Sequence, residues 1–104
     1  MNLDLAGRHA LVCGGSQGIG RAAAIELAAL GADVTLLARS RDALDAALAA
    51  LPKTHAAQTH ATLAVDMGDH RALRAKIEAT ANAHPVQVLV NNSGGPPDGP
   101  ASSA

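Results

Sequence analysis

This chain predicts an α/β fold with a parallel sheet, on three observations. Short apolar runs alternate with helical patterns from one end to the other. Apart from polar tips, the strand-like runs are apolar on both sides, as in sheets that helices cover on both faces. Four glycines fall within the seven residues Gly14 to Gly20, where the first apolar run meets the first helical pattern. A backbone that free, placed at a strand-to-helix turn, implies that something comes close to it.

The elements follow in order. Arg8 to Cys13 (RHALVC) is a β-prone run that ends at the glycines. From Ile19 the pattern turns helical, with Ile19, Ala23, Leu27 and Leu30 on one face and Gly31 as the stop. Asp33 to Ala38 forms the second strand. Ser40 is placed to cap the next helix, with Asp42 in its first turn. Leu44, Leu48 and Leu51 give that helix its buried stripe, and Pro52 ends it. Ala61 to Asp66 is the third strand. Asp69 caps a third helix striped by Leu73, Ile77 and Ala81, and Pro85 follows. Val86 to Asn92 is the fourth strand. Connections of this length make right-handed βαβ units. Residues 1–93 are expected to form one domain. Residues 94–104, rich in Gly, Pro and Ser, are expected to be a loop or tail.

Composition narrows the function. The 104 residues include no Phe, Tyr or Trp, so the core must come from Leu, Val, Ile and Ala. No phenol is present to act as an acid or base. Eight Lys and Arg against nine Asp and Glu leave a net charge of −1 with no basic block. That gives no electrostatic footprint for nucleic acid or an anionic membrane. A single cysteine cannot form an internal disulfide, and no signal peptide or membrane span is evident, so a cytoplasmic protein is expected. His9, His55, His60, His70 and His84 show no metal-ligand spacing and are expected to be solvated or locally hydrogen-bonded.

The glycine loop has competitors. Gly15 and Gly20 have the gap of an ATP- or GTP-binding P-loop, but Arg21 and Ala22 follow where Lys and Ser or Thr are required. Gly18, Gly20 and Ala23 match the commonest dinucleotide fingerprint by count, yet two glycines precede them and the turn would begin too late. A bland connector with no ligand is the remaining alternative. The pattern that fits is Gly14-x-x-x-Gly18-x-Gly20, and with it the chain resembles the short-chain dehydrogenases/reductases. Cys13 replaces that family's usual Thr and is expected to be a buried strand-end residue. "LVNNSGG" resembles the family's Asn-Asn-Ala-Gly motif, with Ser93 in place of Ala, and "VDMGD" lies where the family meets adenine. The "NNSGGPP" wording is also similar to a bacterial 3-oxoacyl-acyl-carrier-protein reductase-like branch.

The resemblance implies a Rossmann-like three-layer fold with a four-stranded parallel sheet in the order 3-2-1-4, incomplete relative to the full family fold. It implies a small-molecule dinucleotide as partner. Gly14, Gly15, Ser16, Gln17, Gly18, Ile19 and Gly20 would hold the pyrophosphate, Asp66 and Met67 the adenine, and Asn92, Ser93 and Gly94 the fourth-strand side. At the tip of the second strand an NAD site usually offers a carboxylate, whereas Arg39 and Ser40 stand here, which favours NADP(H) over NAD(H). The family's Tyr-x-x-x-Lys pair is absent, and Lys53 and Lys76 lie in the cofactor half. No catalytic residue is carried over. The chain is expected to be the nucleotide-binding portion of an NADP(H)-dependent oxidoreductase, inactive alone; alternatives are a non-catalytic binding module and an inert truncated product. An exposed fourth-strand edge would invite self-association.

Overall fold

Apolar runs that lack room for charge form the strands, and each becomes as buried as its neighbours allow. A computed structural model describes residues 4–14, 18–66 and 68–91. Four strands, β1 (His9–Cys13), β2 (Asp33–Ala38), β3 (Ala61–Ala64) and β4 (Val88–Asn91), form one sheet in the order β3-β2-β1-β4. Every pairing is parallel, with Leu11 opposite Thr35 on one side and Leu89 on the other. The strand order is the one the family resemblance implies. Three helices, α1 (Gly18–Ala29), α2 (Arg41–Ala50) and α3 (His70–Ala83), make the crossovers. None of the described helices is long and apolar enough to cross a membrane.

The alternation of side chains splits the core in two. Ala10, Val12, Val34 and Leu36 pack with Ala24 and Ala28 of α1 and with Leu44 and Ala47 of α2. On the opposite face Leu11, Cys13, Leu37 and Val65 meet Leu73 and Ile77 of α3. Two helices therefore share one face and a single helix covers the other. No residue of α3 is fully buried, and among the described residues no second helix lies beside it on this face.

The helix starts follow local chemistry. Ser40 caps α2 by accepting a hydrogen bond from the Ala43 N–H at 3.2 Å, and Asp69 caps α3 from the Ala72 N–H at 3.1 Å. At the end of α1 the Gly31 N–H bonds the Ala28 carbonyl and the Ala32 N–H bonds that of Leu27, closing the helix where glycine was expected to stop it.

The structure corrects the face of α1. The row Ile19, Ala23, Leu27 and Leu30 does not point inward; Gly20, Ala24 and Ala28 do, and Ile19 is 77% exposed. Small residues let the helix backbone lie close to β1 and β2, so Leu27 packs only from the flank. The α2 stripe holds: Leu44 and Leu51 are buried and Leu48 packs half-buried against the same cluster, with Ala47 buried beside them. β3 stops at Ala64 rather than Asp66, although the Val65 N–H still reaches the Ala38 carbonyl at 2.9 Å. β4 begins at Val88 rather than Val86, because Gln87 bonds His9 through side chain and backbone before the ladder starts. Asn92 and residues 94–104 lie outside the described residues.

The polar connector before β3 is a structural plug. Gln58 is fully buried, and its amide nitrogen donates to the Ala28 and Ala32 carbonyls at 2.8 and 2.7 Å. Its oxygen accepts from the Thr54 N–H and hydroxyl. Two imidazoles complete the tie: His55 Nε2 lies 3.1 Å from the Gly31 carbonyl, and His60 Nδ1 accepts from the Val34 N–H at 3.1 Å. His9, His55, His60 and His84 thus make contacts distant in sequence rather than merely local ones. A ring with one donor and one acceptor edge suits a loop that must satisfy carbonyls and N–H groups together. Gln58→Leu keeps the bulk but removes the amide from two buried carbonyls, of which Ala28 keeps its bond from the Gly31 N–H and Ala32 loses its described partner. Urea unfolding should show a loss of about 1–3 kcal/mol; an unchanged midpoint would mean that water replaces the amide.

Candidate functional site

Parallel strands end on one edge of the sheet, and the strand order decides where along that edge a ligand fits. The chain moves outward from β1 to β2 and β3, then returns to place β4 on the other side of β1. In open α/β sheets ligands bind at the C-terminal strand ends where the strand order reverses, which here is between β1 and β4. α1 starts there.

Gly14 leaves β1 with φ +77° while its N–H still donates to the Leu37 carbonyl at 2.6 Å. The turn is therefore left-handed yet tied to the tip of β2. Gly18 opens α1 at φ +60°, and among the described residues a Cβ placed there would meet nothing within 4 Å. Space lies in front of it, and only the backbone conformation calls for glycine. The first N–H groups of a helix have no partner within it and carry the positive end of its dipole. α1 has no acidic residue in its first turn to neutralise that end. Gly20 is buried on the sheet side, whereas Ile19 presents apolar surface to solvent.

Cys13 is 3% exposed at the end of β1, and burial pushes its thiol up from the ordinary value. It is a packing residue, as expected, and not a nucleophile.

Arg39 is exposed immediately after β2, with Arg41 two residues on at the start of α2. Ser40 lies between them; its oxygen accepts the α2 cap bond, and its hydroxyl hydrogen and a second lone pair remain to be offered outward. Asp66, exposed just beyond β3, accepts from the Gly68 N–H at 2.9 Å through one carboxylate oxygen. The edge thus brings together Gly14, Gly18, Ile19, Gly20, Arg39, Ser40 and Asp66. Gly15, Ser16, Gln17, Met67, Asn92, Ser93 and Gly94 lie outside the described residues. The tie between Gly14 and Leu37 carries no sequence signal, since it depends on register alone.

A hollow of about 430 Å³ lies at the other edge, beneath α3, lined by His9, Asp33, Thr35, Lys76 and His84 among others. It includes none of the residues expected to hold a nucleotide.

Comparison with known proteins agrees with this geometry. The chain is 39% identical over 93 residues to L-xylulose reductase from Mus musculus, covering 89% of this chain and 34% of that protein. Among solved structures, L-sorbose reductase from Gluconobacter frateurii, complexed with NADPH and L-sorbose, superposes with a TM-score of 0.78 at 31% identity. That match covers 91% of this chain and 36% of the reductase. A 3-oxoacyl (acyl-carrier-protein) reductase from Agrobacterium tumefaciens with NADP bound gives a TM-score of 0.75 at 35% identity, over 88% of this chain and 34% of that one. The chain spans about a third of the length of such relatives. The family model for short chain dehydrogenase matches residues 8–104. This chain belongs to the short-chain dehydrogenase family.

Proposed function

We propose that residues 1–93 are the nucleotide-binding portion of an NADP(H)-dependent short-chain oxidoreductase acting on carbonyl and alcohol groups. The observation that carries this reading is the pair of left-handed glycines, Gly14 and Gly18, framing open space at the start of α1. Related structures bind NADPH or NADP, which supports the cofactor class. Bound NADPH supplies a hydride. This chain's residues would bind and orient it: amides at the start of α1 would hold the pyrophosphate, with Ile19 beside them, and Asp66 would serve the adenine. Gly15, Ser16, Gln17, Met67, Asn92, Ser93 and Gly94 complete the assignment. The sequence holds no Tyr, so hydride transfer by these residues alone lacks its acid. A buried single cysteine fits a cytoplasmic setting.

Arg39 is assigned to the 2′-phosphate. It stands at the tip of β2, where a carboxylate would repel that group, and its planar fork suits a phosphate. Arg39→Ala should weaken NADP(H) roughly ten- to hundredfold, about 1.5–3 kcal/mol, and leave NAD(H) nearly unaffected in calorimetric titrations. Equal losses for both would remove Arg39 from the site. Gly18→Val, in a variant shown by circular dichroism to be folded, should lower affinity for both cofactors about tenfold or more, because its side chain enters the space a phosphate would take. Affinity untouched by that change would defeat the whole reading.

We also propose that a second copy pairs along β4. Among the described residues nothing covers the outer edge of this strand, and Leu89 is 59% exposed. Unpaired strand edges beside apolar surface associate. Sedimentation should show concentration-dependent association that Leu89→Lys weakens. A chain that stays monomeric at high concentration would exclude the pairing.

A further inference from the structure

The N-terminal ends of β1 and β2 meet the C-terminal end of α3 in a run of polar contacts that nucleotide binding does not use. His9 opens β1 and is 2% exposed. Its Nδ1 lies 2.8 Å from the His84 carbonyl oxygen and its Nε2 lies 2.7 Å from Thr35 Oγ1. The two imidazoles of His9 and His84 stack, with centroids 4.2 Å apart and planes 16° from parallel. His84 Nε2 is 3.0 Å from Asp33 Oδ2, and Asp33 Oδ1 accepts from the Thr59 N–H at 2.9 Å. Gln87, at the entry to β4, accepts from the His9 N–H at 2.8 Å and returns its own N–H to the His9 carbonyl at 2.9 Å.

These partners fix the proton on His9. A carbonyl oxygen only accepts, so Nδ1 carries the hydrogen. In a neutral ring Nε2 is then bare, and the Thr35 hydroxyl donates to it. A second proton reverses that contact: the ring donates, and the Thr35 hydrogen must turn to another acceptor. Among the described residues Thr35 Oγ1 has no other hydrogen-bond partner. The added charge would also lie buried against the His84 ring.

The surrounding charges do not welcome it. Asp33 on β2 is the nearby carboxylate, and it already pairs with His84. His55, from the connector before β3, bonds Gly31 and acts electrostatically on Asp33. Lys76 of α3 lines the same hollow, as do Ala61 and Leu63 of β3, which carry no charge. Arg8 precedes His9 with an exposed side chain. Gln87 is neutral.

We propose that His9, Thr35, His84 and Asp33 form an acid-opened latch, in which proton uptake at His9 frees the end of α3 and the entry to β4 from β1 and β2. Burial, the largest influence, pulls His9 below the ordinary histidine value; the His84 carbonyl opposes this, the His84 ring adds to it, and Asp33 opposes it. A folded value below the open one means that the open state binds more protons. The latch is then at full strength above the ordinary histidine value and weakens as pH falls from there toward the folded value. Asp33 behaves separately. Burial raises it, but its bonds from Thr59 and His84 outweigh that and hold it below the usual carboxylate range, so its contribution is lost only in stronger acid.

The test uses the whole labelled chain between pH 8 and pH 5. Imidazole nitrogen spectra should show His9 as the Nδ1–H tautomer near neutrality, with a midpoint below that of an unstructured histidine peptide. Amide exchange, corrected for intrinsic rate, should accelerate at Val88–Asn91 and at the end of α3 while β1 and β2 stay protected. The opening equilibrium can rise at most about tenfold per pH unit for one proton. His9→Gln, which takes up no proton, should flatten that rise. An Nε2–H tautomer, a midpoint at or above the peptide's, or equal acceleration in every strand would overturn the latch. So would an unchanged pH slope in His9→Gln. Should that variant fail to fold, the wild-type tautomer and midpoint decide the matter.

Discussion

The rest of the molecule depends on β1 being hydrogen-bonded on both sides and covered on both faces. All five of its residues, His9 to Cys13, are buried. Ala10 and Val12 face α1 and α2, Leu11 and Cys13 face α3, and the ladders to β2 and β4 satisfy its backbone. Fully burying a residue such as Leu11 or Val12 contributes about 1.5–3 kcal/mol. Size also pins the register. A slip by one residue would turn Leu11 toward the close-packed α1 and aim His9 away from Thr35 and His84. The glycine turn and the His9 contacts lie at the two ends of this strand.

The lack of aromatic residues explains why the faces differ. On one side alanines and Gly20 draw α1 close to the sheet, and small side chains suffice to fill the gap. On the other side α3 is the one helix among the described residues, with Ala79 and Ala83 over a hollow of about 430 Å³. No Phe, Tyr or Trp exists to fill that space. Dispersion lost across a void weakens the attachment of α3. Polar contacts from His84 and Gln87 hold this region where apolar packing is thin.

Whatever depended on neighbouring residues was legible in the sequence. Apolar runs named the strands, Ser40 and Asp69 announced their caps, and Gly31 marked the end of α1, because each works within a few residues. That Gly14, Arg39 and Asp66 follow strand ends on one edge was legible too, once alternation implied a parallel sheet. Contacts across long separations were not. Helical period alone ranks Ile19 and Leu27 above Ala24 and Ala28, yet close approach to the sheet reverses the ranking. Gln58 looked like connector because nothing nearby shows that two carbonyls at the end of α1 need its amide. His9 looked solvated for the same reason: its partners lie 26 and 75 residues away.

The opposite demands at the ends of β1 bear on how such a strand serves a ligand. At its C-terminal end Gly14 and Gly18 hold left-handed conformations, and the first N–H groups of α1 have no partner within that helix. Open amides gain little until an anion arrives, so the turn needs a stiff support. The bond from Gly14 to Leu37 supplies part of that stiffness, and it exists only while β1 and β2 keep register. At the N-terminal end His9 reaches Thr35 of the same β2, closing the pair from the other side. The His9 contact to Thr35 thus secures the strand pair on which the glycine turn is mounted, although His9 lies at the opposite end of β1 from that turn.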